Sequence, residues 1–312
     1  MPNASTSYAE SVIPREFPPA FRKNVLGAFA NGAAWLDSLP EVIGACEHHW
    51  HIVAGTPFDL SYSYVAPARD ARGEEFVLKV CAGGPEFASE IEALRVFAGG
   101  AAVRLLDYNV DFGAMLLERL SPGLTIAGLA SDADATRIAA LVMRELWRPL
   151  PPNSSFPTIA EWAGGLRRLR AGFDGGTGPF PRALVETAES LFRELLLGSE
   201  PPVLLHGDLH HFNILSADRR AWVAIDPKGL AGERAYEAGA LLRNPDVRLS
   251  TDAQVQQRRL DVLHDELALD RDRMLGWGIA QAVLSAWWSY EDSGGGWESA
   301  CACAETLMRL LR

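Results

Sequence analysis

From about residue 132 onward the chain keeps to one pattern, apolar residues at helical spacing, and breaks it in one place, residues 203–226. The break is a strand pair set behind a polar loop. Pro202-Val203-Leu204-Leu205 leads into His206-Gly207-Asp208-Leu209-His210-His211-Phe212-Asn213. Ile214-Leu215 then opens a strand, Ser216–Arg220 forms a polar turn, and Ala221–Ile225 returns to end at Asp226. Such a hairpin sets Asn213 at the start of one strand and Asp226 at the end of its partner, so their side chains can meet at one metal.

Upstream the texture differs. A leading helical segment, 19–49, precedes strand-like runs at Trp50–Ala54, Ser63–Ala66 and Glu75–Val80, separated by turns near Gly55-Thr56-Pro57 and at Pro67–Gly73. A helix follows from Pro85 to about Phe97, with Ile91, Leu94 and Phe97 apolar. Two more strands, Ala102–Asp107 and Ala114–Leu120, flank a turn at Asn109–Gly113. Past Ser121-Pro122-Gly123 the helical segments are 132–147, 158–170, 182–197, 231–242, 252–268, 270–290 and 297–311. The expected fold is α+β and bilobal. Residues 1–120 form a β-rich, nucleotide-binding lobe and 121–312 a mainly helical lobe, with a ligand in the cleft between them.

Asp208, Asn213 and Asp226 are the parts that transfer of a nucleotide γ-phosphate requires: a carboxylate to take the proton of the attacking hydroxyl, then an amide and a second carboxylate to hold Mg²⁺. Lysine use points the same way. Of 29 basic residues only Lys23, Lys79 and Lys228 are lysines. Lys79 lies in the strand Phe76-Val77-Leu78-Lys79-Val80, where alternation sets it opposite Phe76, Leu78 and Val80 and lets it reach phosphates as a point charge. Its expected carboxylate partner is Glu90, ahead of Glu86, because Glu90 adjoins the Ile91–Leu94 stripe. Gly55–Ser61 can lie over phosphates through backbone N–H groups and the Thr56 or Ser61 hydroxyl. Asp111-Phe112-Gly113 resembles a kinase metal motif but falls in a hairpin turn, where Asp and Gly serve the backbone. A zinc hydrolase reading of His206, His210, His211 and Asp208 lacks His-x-His spacing and leaves Lys79, Glu90, Asn213 and Asp226 without a role. His206 is expected to bond the loop backbone, with His210 and His211 as supporting or substrate-side groups.

A net charge of −11 argues against nucleic acid or an anionic membrane as partner and suits a cationic small molecule. No apolar run approaches the roughly 20 residues of a membrane span. Met1–Pro18 is polar with no apolar export core, and the four cysteines form no C-x-x-C, so reduced thiols in a cytoplasmic protein are expected. We expect a monomer or weak dimer.

Lys79, Glu90, Asp208, Asn213 and Asp226, in that order, resemble the aminoglycoside phosphotransferase branch of the protein-kinase-like fold, with His206-Gly207-Asp208 as its catalytic loop. The string from Asp226-Pro227-Lys228-Gly229 to Ala235-Tyr236, with the later Asn244-Pro245-Asp246, is similar to the narrower streptomycin 6-kinase and hydroxyurea kinase group. The resemblance implies an enzyme using ATP and Mg²⁺. Glu118-Arg119-Leu120 would be the adenine hinge, Lys79 the phosphate ligand, Asp208 the base, and Asn213 and Asp226 the metal ligands. Gly207 stands where protein kinases carry an arginine that reads an activation-loop phosphate, and no long activation loop follows Asp226. Both features imply a constitutive small-molecule kinase. The implied acceptor is an aminoglycoside, streptomycin at its 6-hydroxyl, with hydroxyurea or another small hydroxylated metabolite as the alternative. Glu233, Glu237, Asp246, Glu291 and Asp292 are candidate partners for guanidinium groups, and His210 and Lys228 further substrate-side candidates. A nucleotide-binding pseudoenzyme is the rival from another class, and the presence of all five core residues argues against it.

Overall fold

The computed structural model describes residues 16–198 and 200–311. Residues 1–15, most of the segment read above as lacking an export signal, lie outside the described residues. The chain divides into two compact units. The first runs to Ala88 and resumes over Arg104–Arg119, and the second comprises Ser89–Val103 and Leu120–Arg312.

In the first unit the leading segment is two helices, α1 (Pro19–Ala28) and α2 (Gly32–Trp50). Phe29 turns extended between them, and at Gly32 a Cβ would lie 3.0 Å from the Val25 carbonyl carbon, so glycine permits the close crossing. Then come β1 (Ile52–Ala54), β2 (Tyr64–Asp70), β3 (Glu75–Val80), α3 (Pro85–Phe97), which crosses into the second unit, β4 (Leu105–Asn109) and β5 (Ala114–Glu118). The sheet order is β1-β2-β3-β5-β4, antiparallel throughout. Tyr64, Ala66 and Ala68 of β2 and Leu78 and Val80 of β3 bury one face against Phe21, Val25, Leu39 and Ile43.

Strand β2 runs on through Pro67, where a turn was expected. Pro67 pairs with Val77 in register and offers its carbonyl to Gly55 N–H at 2.7 Å, which keeps the strand in the ladder although proline has no N–H to return. The turn comes later, where the Asp70 carboxylate accepts the N–H groups of Arg72 (2.8 Å) and Glu74 (2.9 Å). Asp111-Phe112-Gly113 lies between β4 and β5. Asn109 Oδ1 accepts Phe112 N–H at 3.1 Å, and Gly113 has φ +60°.

The second unit adds β6 (Pro122–Thr125), α4 (Asp132–Leu146), β7 (Arg148–Pro149), α5 (Ile159–Gly172), α6 (Arg182–Leu197) and β8 (Val203–Leu205). After these come β9 (Ile214–Ala217), β10 (Arg220–Ala224), β11 (Leu230–Gly232), α7 (Ala238–Leu242), α8 (Val247–Ser250), α9 (Ala253–Leu267), α10 (Arg271–Ser293) and α11 (Glu298–Leu310). Two small sheets form, β10-β9-β6 and β11-β8-β7. Helix α10 is buried on nearly every side from Met274 to Leu284 and packs against α6, α7 and α11, as an all-round apolar helix must. Thr158 and Glu161 start α5 with a reciprocal capping box.

Three expectations are corrected here. Residues 89–103, placed by sequence in the first lobe, belong with the second unit. Ser89 Oγ donates to the carbonyls of Lys228 (2.8 Å) and Gly229 (3.1 Å), and Val103 N–H to that of Ala224 (2.8 Å). The strand expected from Ala102 therefore begins only at Leu105. The segment 231–242, read as helical, opens as strand β11 paired with β8 and turns through Arg234–Glu237 before α7 begins. Pairing with β8 decides it, and the close approach needs glycine at 232, where a Cβ would lie 2.7 Å from Ile159 Cγ1. Strand β6 and helix α8 had no counterpart in the sequence reading.

Candidate active site

Strand β8 delivers residues 206–213, and the loop is held from beneath by a carboxylate. Glu237, 1% exposed, accepts the N–H groups of His206 (2.8 Å) and Gly207 (2.9 Å). Burial pushes its pKa up to about 7, against the pull of those donors. Gly207 has φ +86°, and an added Cβ would sit 3.2 Å from the Leu230 Cβ and the Trp162 ring. Both backbone and packing therefore ask for glycine at this position. The His206 ring accepts Asp208 N–H at Nδ1 (3.3 Å), which assigns the proton to Nε2, 2.9 Å from the Ile225 carbonyl. Burial lowers its pKa to about 4, so the ring is neutral. The His206 carbonyl in turn accepts Lys228 N–H (2.8 Å), tying the loop to the stretch after Asp226.

Asn213 and Asp226 are brought together by the hairpin. Ile214 pairs with Ala224, and Ile225 N–H donates to the Asn213 carbonyl at 2.9 Å. The strands extend further than expected, to Ala217 and from Arg220, so the turn shrinks to Asp218-Arg219. Asn213 Nδ2 donates to the Asp208 carbonyl (3.0 Å), which leaves Oδ1 as its acceptor atom. Asp226 sits at φ +59° in the left-handed region, its carboxylate 3.2 Å from Lys228 Nζ. A strained backbone at a carboxylate suits a functional position. An amide oxygen and a carboxylate are hard oxygen donors, and Mg²⁺ takes one or two such protein ligands with phosphates and water. The residues present fit that ion.

Asp208 has two differently placed oxygens. Oδ1 lies 3.0 Å from Arg243 Nη2, and Oδ2 is 3.6 Å from His210 Nε2. Burial works to raise its pKa, but the charges of His210, Arg243 and Lys228 outweigh it and hold the group below the ordinary carboxylate range. A carboxylate kept ionised can accept a proton and orient a hydroxyl. The three histidines have separate partners. His206 faces Ile225, His210 faces Asp208, and His211, its pKa lowered to about 3 by burial, lies 3.4 Å from Arg259 Nη2.

Arg243 escaped the sequence reading. Its signal was a lone cation ending the apolar run Ala238–Leu242. Gln281, which accepts a hydrogen bond from Arg243, escaped too, although it is the only amide side chain between Met274 and Leu284.

The remaining candidates are placed as follows. In the first unit Lys79 lies buried in β3, paired with Met115 and Val65 and opposite the face that packs on α1 and α2. Thr56 and Ser61 are exposed between β1 and β2. Glu118 ends β5, and its N–H is already donated to the Arg104 carbonyl at 3.1 Å. In the second unit Leu120 is buried, and Glu90 is buried on α3, whereas Glu86 at that helix's start is exposed. Among the acids proposed for guanidinium groups, Glu233 and Glu237 are interior. Glu233 is 2% exposed and holds Arg273 (2.7 Å) and the Trp277 indole N–H. Both carboxylates are enclosed and engaged by the unit's own donors, where sequence led us to expect acids open to a guanidinium. Glu291 pairs with Arg168 at 2.8 Å, and Asp246 caps α8 by accepting Leu249 N–H at 2.9 Å. Asp292 is half-buried near the end of α10.

Together the fold and the loop define a protein-kinase-like phosphotransferase acting on small molecules. Residues 49–293 match the model of the aminoglycoside/hydroxyurea antibiotic resistance kinases, and the chain belongs to that family. It is 32% identical over 267 residues to a streptomycin 6-kinase of Streptomyces griseus, covering 84% of this chain and 86% of that one. It is 33% identical over 274 residues to a hydroxyurea phosphotransferase of Kitasatospora aureofaciens, covering 84% and 76%. Among solved structures, an aminoglycoside phosphotransferase APH(4)-Ia in ternary complex with ADP and hygromycin B superposes with a TM-score of 0.63 at 14% identity, covering 87% of this chain and 98% of that one. No helix among the described residues is long and apolar enough to cross a membrane.

Proposed function

We propose that the protein transfers the γ-phosphoryl group of ATP to a hydroxyl of an aminoglycoside, streptomycin at its 6-hydroxyl. The observation that carries the chemistry is Asp208 held beside Asn213 and Asp226 on one loop and hairpin. The choice of acceptor rests on the streptomycin 6-kinase relative. Asp208 aligns the acceptor hydroxyl through Oδ2 and takes its proton as the bond to phosphorus forms. Asn213 Oδ1 and Asp226 would hold Mg²⁺, which would offset the charge on the phosphates. Lys79, kept by Glu90, binds the phosphates, the Thr56 and Ser61 hydroxyls cover them, and Glu118 and Leu120 border the adenine. Lys228 and His210 lie within the field of Asp208 and bracket the transferred group. Asp246, Glu291 and Asp292 are the acids offered to a cationic acceptor. We place the enzyme in the cytoplasm, where ATP is found.

Hydroxyurea is the second reading, favoured by the similarity to the hydroxyurea phosphotransferase. Mass spectrometry of streptomycin and of hydroxyurea, each incubated with enzyme, ATP and Mg²⁺, separates the two. One added phosphoryl group on streptomycin supports the first reading, and addition to hydroxyurea alone replaces it with the second.

A further inference from the structure

Helix α7 grips the loop at both of its ends. Glu237, just before it, holds the His206 and Gly207 N–H groups, and Arg243, just after it, holds Asp208 Oδ1 at 3.0 Å. Behind Arg243 the Gln281 amide stands beside the buried Tyr236 hydroxyl. Gln281 is 1% exposed in the apolar core of α10, and its Oε1 accepts a hydrogen bond from Arg243 Nη1. Fixing both terminal nitrogens of a planar guanidinium fixes its plane as well as its place. Helix α7 is shaped to admit this amide: a Cβ at Gly239 would fall 2.7 Å from Gln281 Cδ and 3.1 Å from its Cβ. Any larger residue at 239 would drive the amide away from Arg243.

We propose that Gln281 is a positioning residue which, through Arg243, locks the Asp208 carboxylate with Oδ1 engaged and Oδ2 presented to the acceptor hydroxyl. The inference rests on Asp208 being the base. A buried amide needs a partner in any fold, and satisfying Arg243 would meet that need without serving the reaction. The two roles differ in what they predict. A role in packing alone moves stability, whereas positioning moves kcat while leaving substrate binding in place.

The test uses the full-length enzyme with ATP, Mg²⁺ and whichever acceptor mass spectrometry identifies. Gln281→Leu is expected to lower kcat on the order of 10-fold, the worth of one charge-assisted hydrogen bond, with KM for both substrates within about two-fold of wild type. Gln281→Glu retains an acceptor oxygen for Arg243 and should recover most of that loss. Gly239→Ala displaces the amide without touching Arg243 and should reproduce the Leu phenotype, so it decides the matter if Gln281→Leu fails to fold. Wild-type kcat in Gln281→Leu or Gly239→Ala overturns the proposal, as does an equal loss in Gln281→Leu and Gln281→Glu. Asp208→Asn separates the two levels. If that variant still turns over, the base assignment falls. If it is inactive while Gln281→Leu is normal, only the positioning role falls.

Discussion

Arg259 and Arg243 each hold an aspartate within the second unit, and their surroundings could hardly differ more. Arg259 is fully buried. Its guanidinium meets Asp132 at 2.6 Å and the carbonyls of Leu241 (3.0 Å), Leu242 (3.3 Å) and Asn244 (2.7 Å), with His211 beside it. Those carbonyls lie at the end of α7, so this arginine finishes a helix and joins it to α4 and α9. Arg243 keeps 14% of its side chain exposed and Asp208 keeps 26%, and one oxygen of the aspartate is left outside the pair. Full saturation marks a structural pair, and an aspartate with one oxygen held back marks a working one. The two are coupled, since Arg259 secures the helix end that carries Arg243.

If this contrast is right, the two pairs fail in different measurements. Asp208→Asn should fold and bind nucleotide normally and lose turnover on the order of 10²–10⁴-fold, as when other general bases are removed. Steady-state kinetics with a nucleotide-binding titration reads both, and near-normal turnover would sink the assignment. Arg259→Met, by contrast, should leave the Asp132 carboxylate and the Asn244 carbonyl without this donor, while Gln256 Nε2 still serves the Leu242 carbonyl, and cost about 3–5 kcal/mol of stability. Urea unfolding reads that loss. A change below about 1 kcal/mol would show that water replaces the guanidinium and that the saturated pair is dispensable.

Glu237 sharpens the comparison with the smallest effect, because it is a buried carboxylate held by N–H groups without an arginine. Its folded pKa, about 7, lies above the ordinary 4.5. The folded state therefore binds the proton more tightly than the unfolded chain. Stability from this group is present in full below about pH 4.5 and is lost as pH rises through about 7, by up to about 3 kcal/mol. Glu237→Gln should flatten the stability profile between pH 5 and pH 8. An unchanged slope in that variant would assign the pH dependence to another group.

Legibility from sequence followed the range of the interactions. The hairpin at 203–226 was readable because strand alternation and a short turn fix which residues face each other, and Asn213 and Asp226 follow from that register. The burial of Glu90 and the exposure of Glu86 on one helix were readable from its apolar stripe. Strand β6 was not, because its pairing with β9 joins Leu124 to Ser216 across 92 positions. The opening of 231–242 as a strand was hidden for the same reason: small apolar residues are compatible with either element, and pairing with β8 made the choice. Among the acids, the pattern could not tell surface from interior. Glu233 and Glu237 became framework because Arg273, Trp277 and the loop N–H groups come from distant parts of the chain.

The sequence by itself determined the chemistry. A carboxylate, an amide and a second carboxylate at set spacing can be recognised wherever the loop lies, since their order and the hairpin between them are local facts. Tertiary structure decided how Asp208 is held: Arg243 over one oxygen, Gln281 behind Arg243, and Glu237 beneath the loop. These are contacts between residues some 30 or more positions apart. Burial turns such groups from ordinary surface polarity into fixed partners, and only the packed chain sets burial.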